Sequence, residues 1–513
     1  MLRAVGAAGV TGCSAAGPPR DRDGPPVPAG PRNIVYIYAD QHRAPVMGAL
    51  GDPVVLTPNL DALAAESVRF PWMFTNAPLC RPARASMMTG RLAHVHGCWD
   101  NDSLADPLGP SHVRRIRDEA GYRTALIGKS HLTLIQGHSL AEVNVEKMRQ
   151  WGFEDSLELL SQITCATKPN PYSDWLGETT PAGERSKAER YAAYVTAWEL
   201  LGFPPPDVDP YDLGTADHVD LWCGDLAAAW IRDQAAGDDD RPFYLQVNFP
   251  GPHPPYDATR EFRDRYDPTD PAFPTAILGP PGTPRSPAVE YLWQSRPELH
   301  GLTGADSRAL IRDYYAKVTL VDEAVGAVLA ALAEAGRLDD TWVVYGADHG
   351  DLLGDHELWG KVAMYEGGVR TPLLVRPPGG VAGWAAEGVV DQLDVTATIL
   401  GLAGLDSDGA GDSRVEQLLG GPDAPGAQDG KESVIALVAA TQQGTLRTGM
   451  LRRGALKLVY DFDSARPVEL YDLQADPEER SNRVLDPSLQ ATVADLRDEL
   501  LDTLDAQKSA AEG

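Results

Sequence analysis

The 513-residue sequence predicts an α/β fold: a large, mostly parallel central sheet flanked by helices, then a small C-terminal unit with an antiparallel sheet and a helix. Three observations predict it. Short apolar runs alternate with helix-period stretches, the pattern of strand–helix–strand crossovers. Several of these runs end in Asp, Lys or His, and open α/β sheets place ligands just past strand C-termini. A Gly/Asp/Pro-rich stretch, Ser407 to Lys431, then precedes short strand-like segments and a last helical pattern.

In chain order, Asn33 to Asp40 is apolar almost throughout and reads as a strand buried on both faces, ending in an acid. Thr57-Pro58 supplies a cap and a first-turn proline for a helix to about Val68. Ser111 to Ala120 is a second helix, stopped by Gly121. Tyr122 to Ile127 is a strand leading to Gly128-Lys129-Ser130-His131. Residues 140–215 hold Pro and Gly clusters and read as an irregular insertion near the site mouth. Leu221 to Ala235 is helical, and Pro242 to Phe249 is a strand ending at Pro250-Gly251-Pro252-His253. Residues 254–300 read as proline-rich loop, and Asp306 to Ala335 as one long helix closed by Gly336. Thr341 to Asp348 and Thr371 to Val375 are further buried strands. The C-terminal strands are Ser433 to Val438, Thr448 to Tyr460 and Val468 to Leu473, and residues 487–505 form the helix. The expected units are therefore a disordered leader (1–30), a main domain (31–405), a linker or excursion (406–432) and a small α+β subdomain (433–513).

Composition excludes some functions. There are 45 Lys+Arg against 74 Asp+Glu, a formal charge of -29, which argues against a nucleic-acid surface. The same field repels anionic substrates at long range, so a site for one must carry its own positive charge. The five cysteines (Cys13, Cys80, Cys98, Cys165, Cys223) lack metal-ligand spacing and imply no disulfide framework. No stretch is long and apolar enough for a transmembrane segment. Val10-Thr11-Gly12-Cys13 resembles a lipoprotein cleavage site, which implies an exported or envelope protein; the alternative is a cytoplasmic protein with a floppy leader.

The densest motif is Cys80 to Arg91, where Cys80, Pro82 and Arg84 form C-x-P-x-R and Thr89-Gly90 follow. Pro82 suits the first turn of a helix, which sets Cys80 at a helix N-terminus, a place that favours anions. Alone, such a cysteine is more often a buried structural residue. Two pairs at equivalent strand ends, Asp40-Gln41 and Asp348-His349, offer carboxylate, amide and imidazole donors suited to one divalent cation. Lys361 and His253 taken singly read as a solvated cation and a packing residue. His94, His96 and His356 have no pattern behind them.

Together these residues resemble the type I, formylglycine-dependent sulfatase family of the alkaline-phosphatase-like superfamily. Asp-Gln and Asp-His, in place of the commoner Asp-Asp and Asp-Asn, resemble its choline-sulfatase and phosphonate-monoester-hydrolase branch. Glu469-Leu-Tyr-Asp-Leu-Gln-Ala-Asp-Pro-Glu-Glu-Arg480 is similar to the family's closing motif, so nearly the whole chain after residue 31 is covered. The resemblance implies an alkaline-phosphatase-like sandwich and a sulfuric ester hydrolase. It implies oxidation of Cys80 to formylglycine by a formylglycine-generating enzyme, the hydrated aldehyde serving as nucleophile. It implies a divalent cation, calcium with manganese or magnesium as alternatives, held by Asp40, Gln41, residue 80, Asp348 and His349. Lys129, His131 and His253 match the family's Gly-Lys-x-His and leaving-group histidine elements, and Lys361 its sulfate-holding lysine. Arg84 offsets charge at the nucleophile, Asp348 is the base, His253 with Lys361 protonates the departing alcohol, and His131 takes the proton that lets sulfate leave by elimination. Lys129, His253, Lys361 and, more weakly, Asn101 are the substrate contacts.

The substrate class is a small-molecule or saccharide sulfate ester. A phosphonate monoester or phosphodiester hydrolase would use the same residues, and a catalytically silent carbohydrate-binding relative is the alternative outside enzymes. Trp99, Tyr172, Trp175 and Tyr256 are candidates to stack on a sugar or aryl group or to cage a quaternary ammonium, with core packing as the competing role.

Overall fold

The computed structural model describes residues 32–133, 140–159, 161–178, 187–201, 214–277, 279–302, 304–441 and 445–512. The expected leader and Cys13 lie outside the described residues. Its strands are β1 (Asn33–Asp40), β2 (Val68–Arg69), β3 (Met73–Phe74), β4 (Arg123–Lys129), β5 (Asp155–Leu159), β6 (Phe243–Pro252) and β7 (Thr341–Ala347). They continue as β8 (Leu373–Arg376), β9 (Trp384–Ala385), β10 (Val390–Asp391), β11 (Ser433–Ala439), β12 (Arg447–Arg453), β13 (Leu456–Asp461) and β14 (Arg466–Asp472).

The central sheet has eight strands in the order β5-β4-β6-β1-β7-β8-β2-β9. From β5 to β7 all neighbours are parallel, whereas β8 runs antiparallel to both β7 and β2. β1 is buried along its whole length because it lies between β6 and β7 and both faces are covered. Side chains alternate across it. Val35, Ile37 and Ala39 pack with the Val219–Ala236 and Gly304–Glu334 helices through Cys223, Ile231, Val321 and Val325. Ile34, Tyr36 and Tyr38 face the opposite layer, which includes Ala85, Met87 and Met88 of the Cys80–Thr89 helix. Each fully buried aliphatic side chain contributes roughly 1.5–3 kcal/mol.

The register aligns the strand ends. Ala39 pairs with Ala347, so Asp40 and Asp348 emerge side by side, and Asp40 pairs with Pro252, one residue before His253. Gly128 opposite Asn248 brings Lys129 to the same edge.

The expectation of an irregular 140–215 insertion is corrected. Leu140–Trp151, Gln162–Thr167, Pro171–Glu178 and Lys187–Leu201 are helices, and β5 extends the central sheet. Met148, Trp151 and Phe153 are buried in the main core, which fixes the first helix and the approach to β5. Gly152 marks a tight crossing, not a loose one: it has φ +113°, and a Cβ there would sit 2.4 Å from the Arg114 backbone. Leu159, Cys165, Leu176, Tyr191 and Val195 form a separate small core. Other differences are smaller. The first helix ends at Ala65, since Val68 and Arg69 are taken by pairing with β8 and β9. Residues 254–300 carry short helices at Arg260–Arg263 and Pro287–Ser295. The stretch expected as one strand, Thr448 to Tyr460, is a hairpin of β12 and β13 that turns at Gly454, φ +57°.

β11 to β14 form an antiparallel four-stranded sheet. One face packs Leu437, Leu451, Leu458 and Leu470 against Leu496 and Leu500 of the Gln490–Glu512 helix. The other packs Val434, Ala436 and Val459 against Phe74, Leu79 and Val362, so the small sheet braces the segment just before Cys80 and the one after Lys361. Within 406–432, Val415–Gly420 is helical, and Leu418 and Ala427 join the main core. Among the described residues no helix is long and apolar enough to cross a membrane.

Candidate active site

Cys80 is the first residue of the Cys80–Thr89 helix, every residue of which is buried. Leu79 is the N-cap and makes no side-chain cap. The Arg81 N–H is accepted instead by Asn101 Oδ1 at 3.0 Å. Asn101, expected as a substrate contact, thus spends its oxygen on the helix start. The N-terminal N–H groups of a helix otherwise lack partners, and a side-chain oxygen from elsewhere fills that need.

Around Cys80 Sγ stand Lys361 Nζ at 2.9 Å, His349 Nε2 at 3.2 Å, Asp40 Oδ1 at 3.6 Å and Lys129 Nζ at 3.9 Å. His131 and His253 also lie beside Cys80. Burial alone would push the Cys80 thiol up, but Lys129, Lys361 and His349 hold it well below the ordinary thiol value. Burial also opposes charge on Asp40, yet Lys129, His253 and Lys361 keep its carboxyl below the usual range. Burial lowers His131 to about 3, so its imidazole is neutral. Burial and the neighbouring Lys361 lower His253 as well.

Asp40 and Asp348 are fully buried, and Arg84 and Lys129 offset them. Arg84 Nε donates to Asp348 Oδ2 at 2.9 Å, its NH2 group lies 3.4 Å from Asp40 Oδ2, and it also donates to the Lys129 carbonyl. Lys129 Nζ pairs with Asp40 Oδ2. The hydrogen bonds of Arg84 go to Asp348 and the end of β4, and it forms an ion pair with Asp40.

The donor set fits a divalent cation. Ligand atoms of Asp40, Cys80, Asp348 and His349 all lie within 4.8 Å of one another. His349 Nδ1 lies 2.9 Å from the Gly350 carbonyl and donates to it, so in the neutral ring the lone pair is on Nε2, which faces the acids at 3.7 and 3.9 Å. Gln41 Nε2 donates to Asp351 Oδ2 at 2.6 Å, and Gln41 Oε1 accepts from Lys361 at 2.8 Å. A carboxylate only accepts and an ammonium only donates, so the amide has one possible orientation, oxygen toward the site. The Arg84 NH2 group is buried without a hydrogen-bond partner. That leaves donor capacity beside Asp40 for a bound group.

Two site residues hold left-handed backbone, Gln41 at φ 70° and His131 at φ 56°. Such non-glycine conformations cost roughly 1–3 kcal/mol each and persist where neighbours over-determine them. At Gln41 the N–H donates to Asp348 Oδ1 at 2.9 Å and the carbonyl accepts from Tyr314 at 2.7 Å. At His131 the carbonyl accepts from Arg81.

The structure therefore brings together Asp40, Gln41, Cys80, Arg84, Lys129, His131, His253, Asp348, His349 and Lys361. Sequence reasoning missed Asp351, whose carboxylate accepts from Gln41, Tyr256, Leu353 N and Gly360 N. Its signal was a further acid in the turn that begins Asp348-His349-Gly350. Thr75 and Gln392 both donate to the Asp348 carbonyl and carry no local signal. The aromatic candidates pack: Tyr172 and Trp175 against Trp222, Tyr256 against Tyr314, and Trp99 against Phe462. His94 bonds Leu504 O, His96 faces Ser86, and His356 stacks on Tyr365.

Residues 32–405 match the family model described as sulfatase, and residues 354–506 match the one described as N-sulphoglucosamine sulphohydrolase, C-terminal. The chain is 30% identical over 483 residues to a choline-sulfatase of Rhizobium meliloti (strain 1021), covering 91% of this chain and 86% of that one. It is 28% identical over 486 residues to an ulvan-active sulfatase of Formosa agariphila, covering 91% and 82%. The solved structure of a phosphonate monoester hydrolase from Silicibacter pomeroyi superposes with a TM-score of 0.76 at 26% identity, covering 93% of this chain and 96% of that one.

Proposed function

The chain belongs to the sulfatase family and is a sulfuric ester hydrolase, and from that premise we propose how its site works: it hydrolyses a sulfate monoester to an alcohol and inorganic sulfate at residue 80. The proposal includes maturation of Cys80 to formylglycine by a formylglycine-generating enzyme and one bound divalent cation, calcium before manganese or magnesium. The observation that carries it is the shell around Cys80 Sγ, with two lysines, a histidine and an acid within 3.9 Å.

Asp40, Gln41, Asp348 and His349, with residue 80, would hold the cation. When present, the cation and the formylglycine hydrate supply a Lewis acid and a hard oxygen nucleophile. The remaining work belongs to the chain's own groups and is mostly positioning and electrostatics, as in phosphoryl transfer. Lys129 and Lys361 place two ammonium groups where sulfate oxygens meet residue 80. Arg84 fixes the two acids so that neither turns toward the substrate. His253 Nδ1 donates to the Pro254 carbonyl, which leaves its other ring nitrogen for the departing oxygen. An incoming sulfate raises the pKa of His253 against the effects of burial and Lys361, loading the proton it delivers. The neutral His131 imidazole, beside residue 80, is the proton acceptor.

The substrate is a small-molecule or saccharide sulfate ester. A second reading, phosphonate monoester or phosphodiester hydrolysis, is favoured by Gln41 and His349 and by the likeness to the Silicibacter pomeroyi enzyme.

The test uses protein from a host that carries the converting enzyme. A peptide mass spectrum over Cys80 is paired with rates on matched aryl sulfate, aryl phosphonate and aryl phosphodiester. We expect the formylglycine mass and the highest kcat/KM on sulfate. A higher value on phosphonate favours the second reading; an unmodified thiol throughout, with no turnover, returns a binding-only relative.

A further inference from the structure

A buried polar cluster lies directly behind the strand end that carries His253. Its centre is Lys317, a fully buried lysine midway along the Gly304–Glu334 helix. Lys317 Nζ lies 2.6 Å from Asp257 Oδ1, 2.9 Å from Asp220 Oδ2 and 3.0 Å from His218 Nε2. His218 caps the Val219–Ala236 helix by accepting the Asp220 N–H. Asp220 Oδ1 accepts the Gly251 N–H at 2.8 Å. The contact at Gly251 is close: a Cβ there would fall 2.7 Å from Asp220 Oδ2 and 2.8 Å from Lys317 Cε.

The segment from Gly251 to Asp257 is thus tied to one ammonium at both ends, through Asp220 at the first and directly at the last. His253 lies between the ties. A buried ion cluster is a weak way to gain stability, because desolvation offsets much of the attraction and an apolar replacement is often as stable. Its advantage is geometric, since charge-assisted bonds are short and directional. We propose that Lys317 is a positioning residue for the leaving-group acid, holding residues 251–257 in the arrangement that aims His253 at the departing oxygen. The inference rests on His253 being that acid.

The test compares kcat/KM for 4-nitrophenyl sulfate, whose leaving group needs little protonation, with that for unactivated phenyl sulfate. The variants are H253A, K317M and K317M/H253A. Lys317→Met leaves two buried acids without their cation, so K317M/D257N, which keeps the formal charge of the cluster, is measured beside it and carries the comparison if K317M does not fold. H253A is expected to lose at least about tenfold more on phenyl sulfate than on 4-nitrophenyl sulfate. K317M and K317M/D257N should show the same bias at smaller size, and K317M/H253A should be no slower than H253A. Equal losses on the two esters in K317M/D257N, or losses that multiply with those of H253A, overturn the inference and leave the acid assignment standing. An unbiased H253A overturns both.

Discussion

Asp351 sets the orientation of Gln41: its Oδ2 accepts from Gln41 Nε2 at 2.6 Å, which leaves Gln41 Oε1 as the face turned to the site. The same carboxylate is held by Tyr256, Leu353 N and Gly360 N, so it has little freedom to turn. A group that touches no substrate thereby decides whether Gln41 presents an acceptor or a donor.

Asp351→Asn keeps the shape and changes the sign of that control. With its oxygen kept on the two backbone N–H groups, the new amide NH2 opposes Gln41 Nε2, and the Gln41 amide turns over. Calcium affinity, measured by calorimetry on purified protein, should fall roughly 10–100-fold. Unchanged affinity would remove Asp351 from this role.

Cys80→Ala should abolish turnover, by roughly 10⁴-fold or more, as expected for loss of a nucleophile. The helix it opens is held by the Arg81–Asn101 bond and by buried contacts, so thermal unfolding should stay cooperative. Activity near wild type would refute residue 80 as the nucleophile position.

Arg84→Met leaves Asp40 and Asp348 with less compensation in a fully buried site. Breaking a buried pair from one side costs about 3–5 kcal/mol. On the proposed cation assignment, added calcium would supply positive charge at the same acids, so it should raise the Tm of R84M more than that of the wild type. An equal rise in both proteins would contradict the bracing role.

Glu158 supports the His131 loop by accepting from Ser130 and Thr133. Burial pushes its carboxyl up to about 7, against the lowering effect of those hydroxyls. The folded state therefore keeps the proton longer than the unfolded chain, where the value is 4.5. Stability falls as pH rises between those two values and levels off above the upper one. Glu158→Gln removes that slope, so its free energy of unfolding should gain on wild type between pH 5 and pH 8, by about 1–2 kcal/mol after allowance for partial exposure. Parallel melting curves across that range would count against it.

Much of the site was legible because its residues sit in local patterns. β1 is an unbroken apolar run with an acid at its end, and Cys80 precedes a proline in a first helical turn. The Gly304–Glu334 helix showed through its length. Residues 140–201 differ from the sequence expectation because β5 is a short edge strand of mixed polarity, and the helices Gln162–Thr167 and Pro171–Glu178 are only 6 and 8 residues long. Such segments take their form from the surfaces they cover, and a single chain read locally does not display those surfaces.

The sequence by itself determined the α/β class, the place of Cys80 at a helix start and the residue types that meet there, since periodicity, turn chemistry and a dense motif are properties of neighbours along the chain. Only the tertiary structure decided that Gln41 turns its oxygen inward, that Arg84 pairs with both Asp40 and Asp348, and that Lys317 ties down both ends of the His253 segment. Those facts depend on distances between groups 31 to 320 positions apart. Sheet register and helix packing set such distances, and each is a balance of many buried contacts that no short stretch encodes.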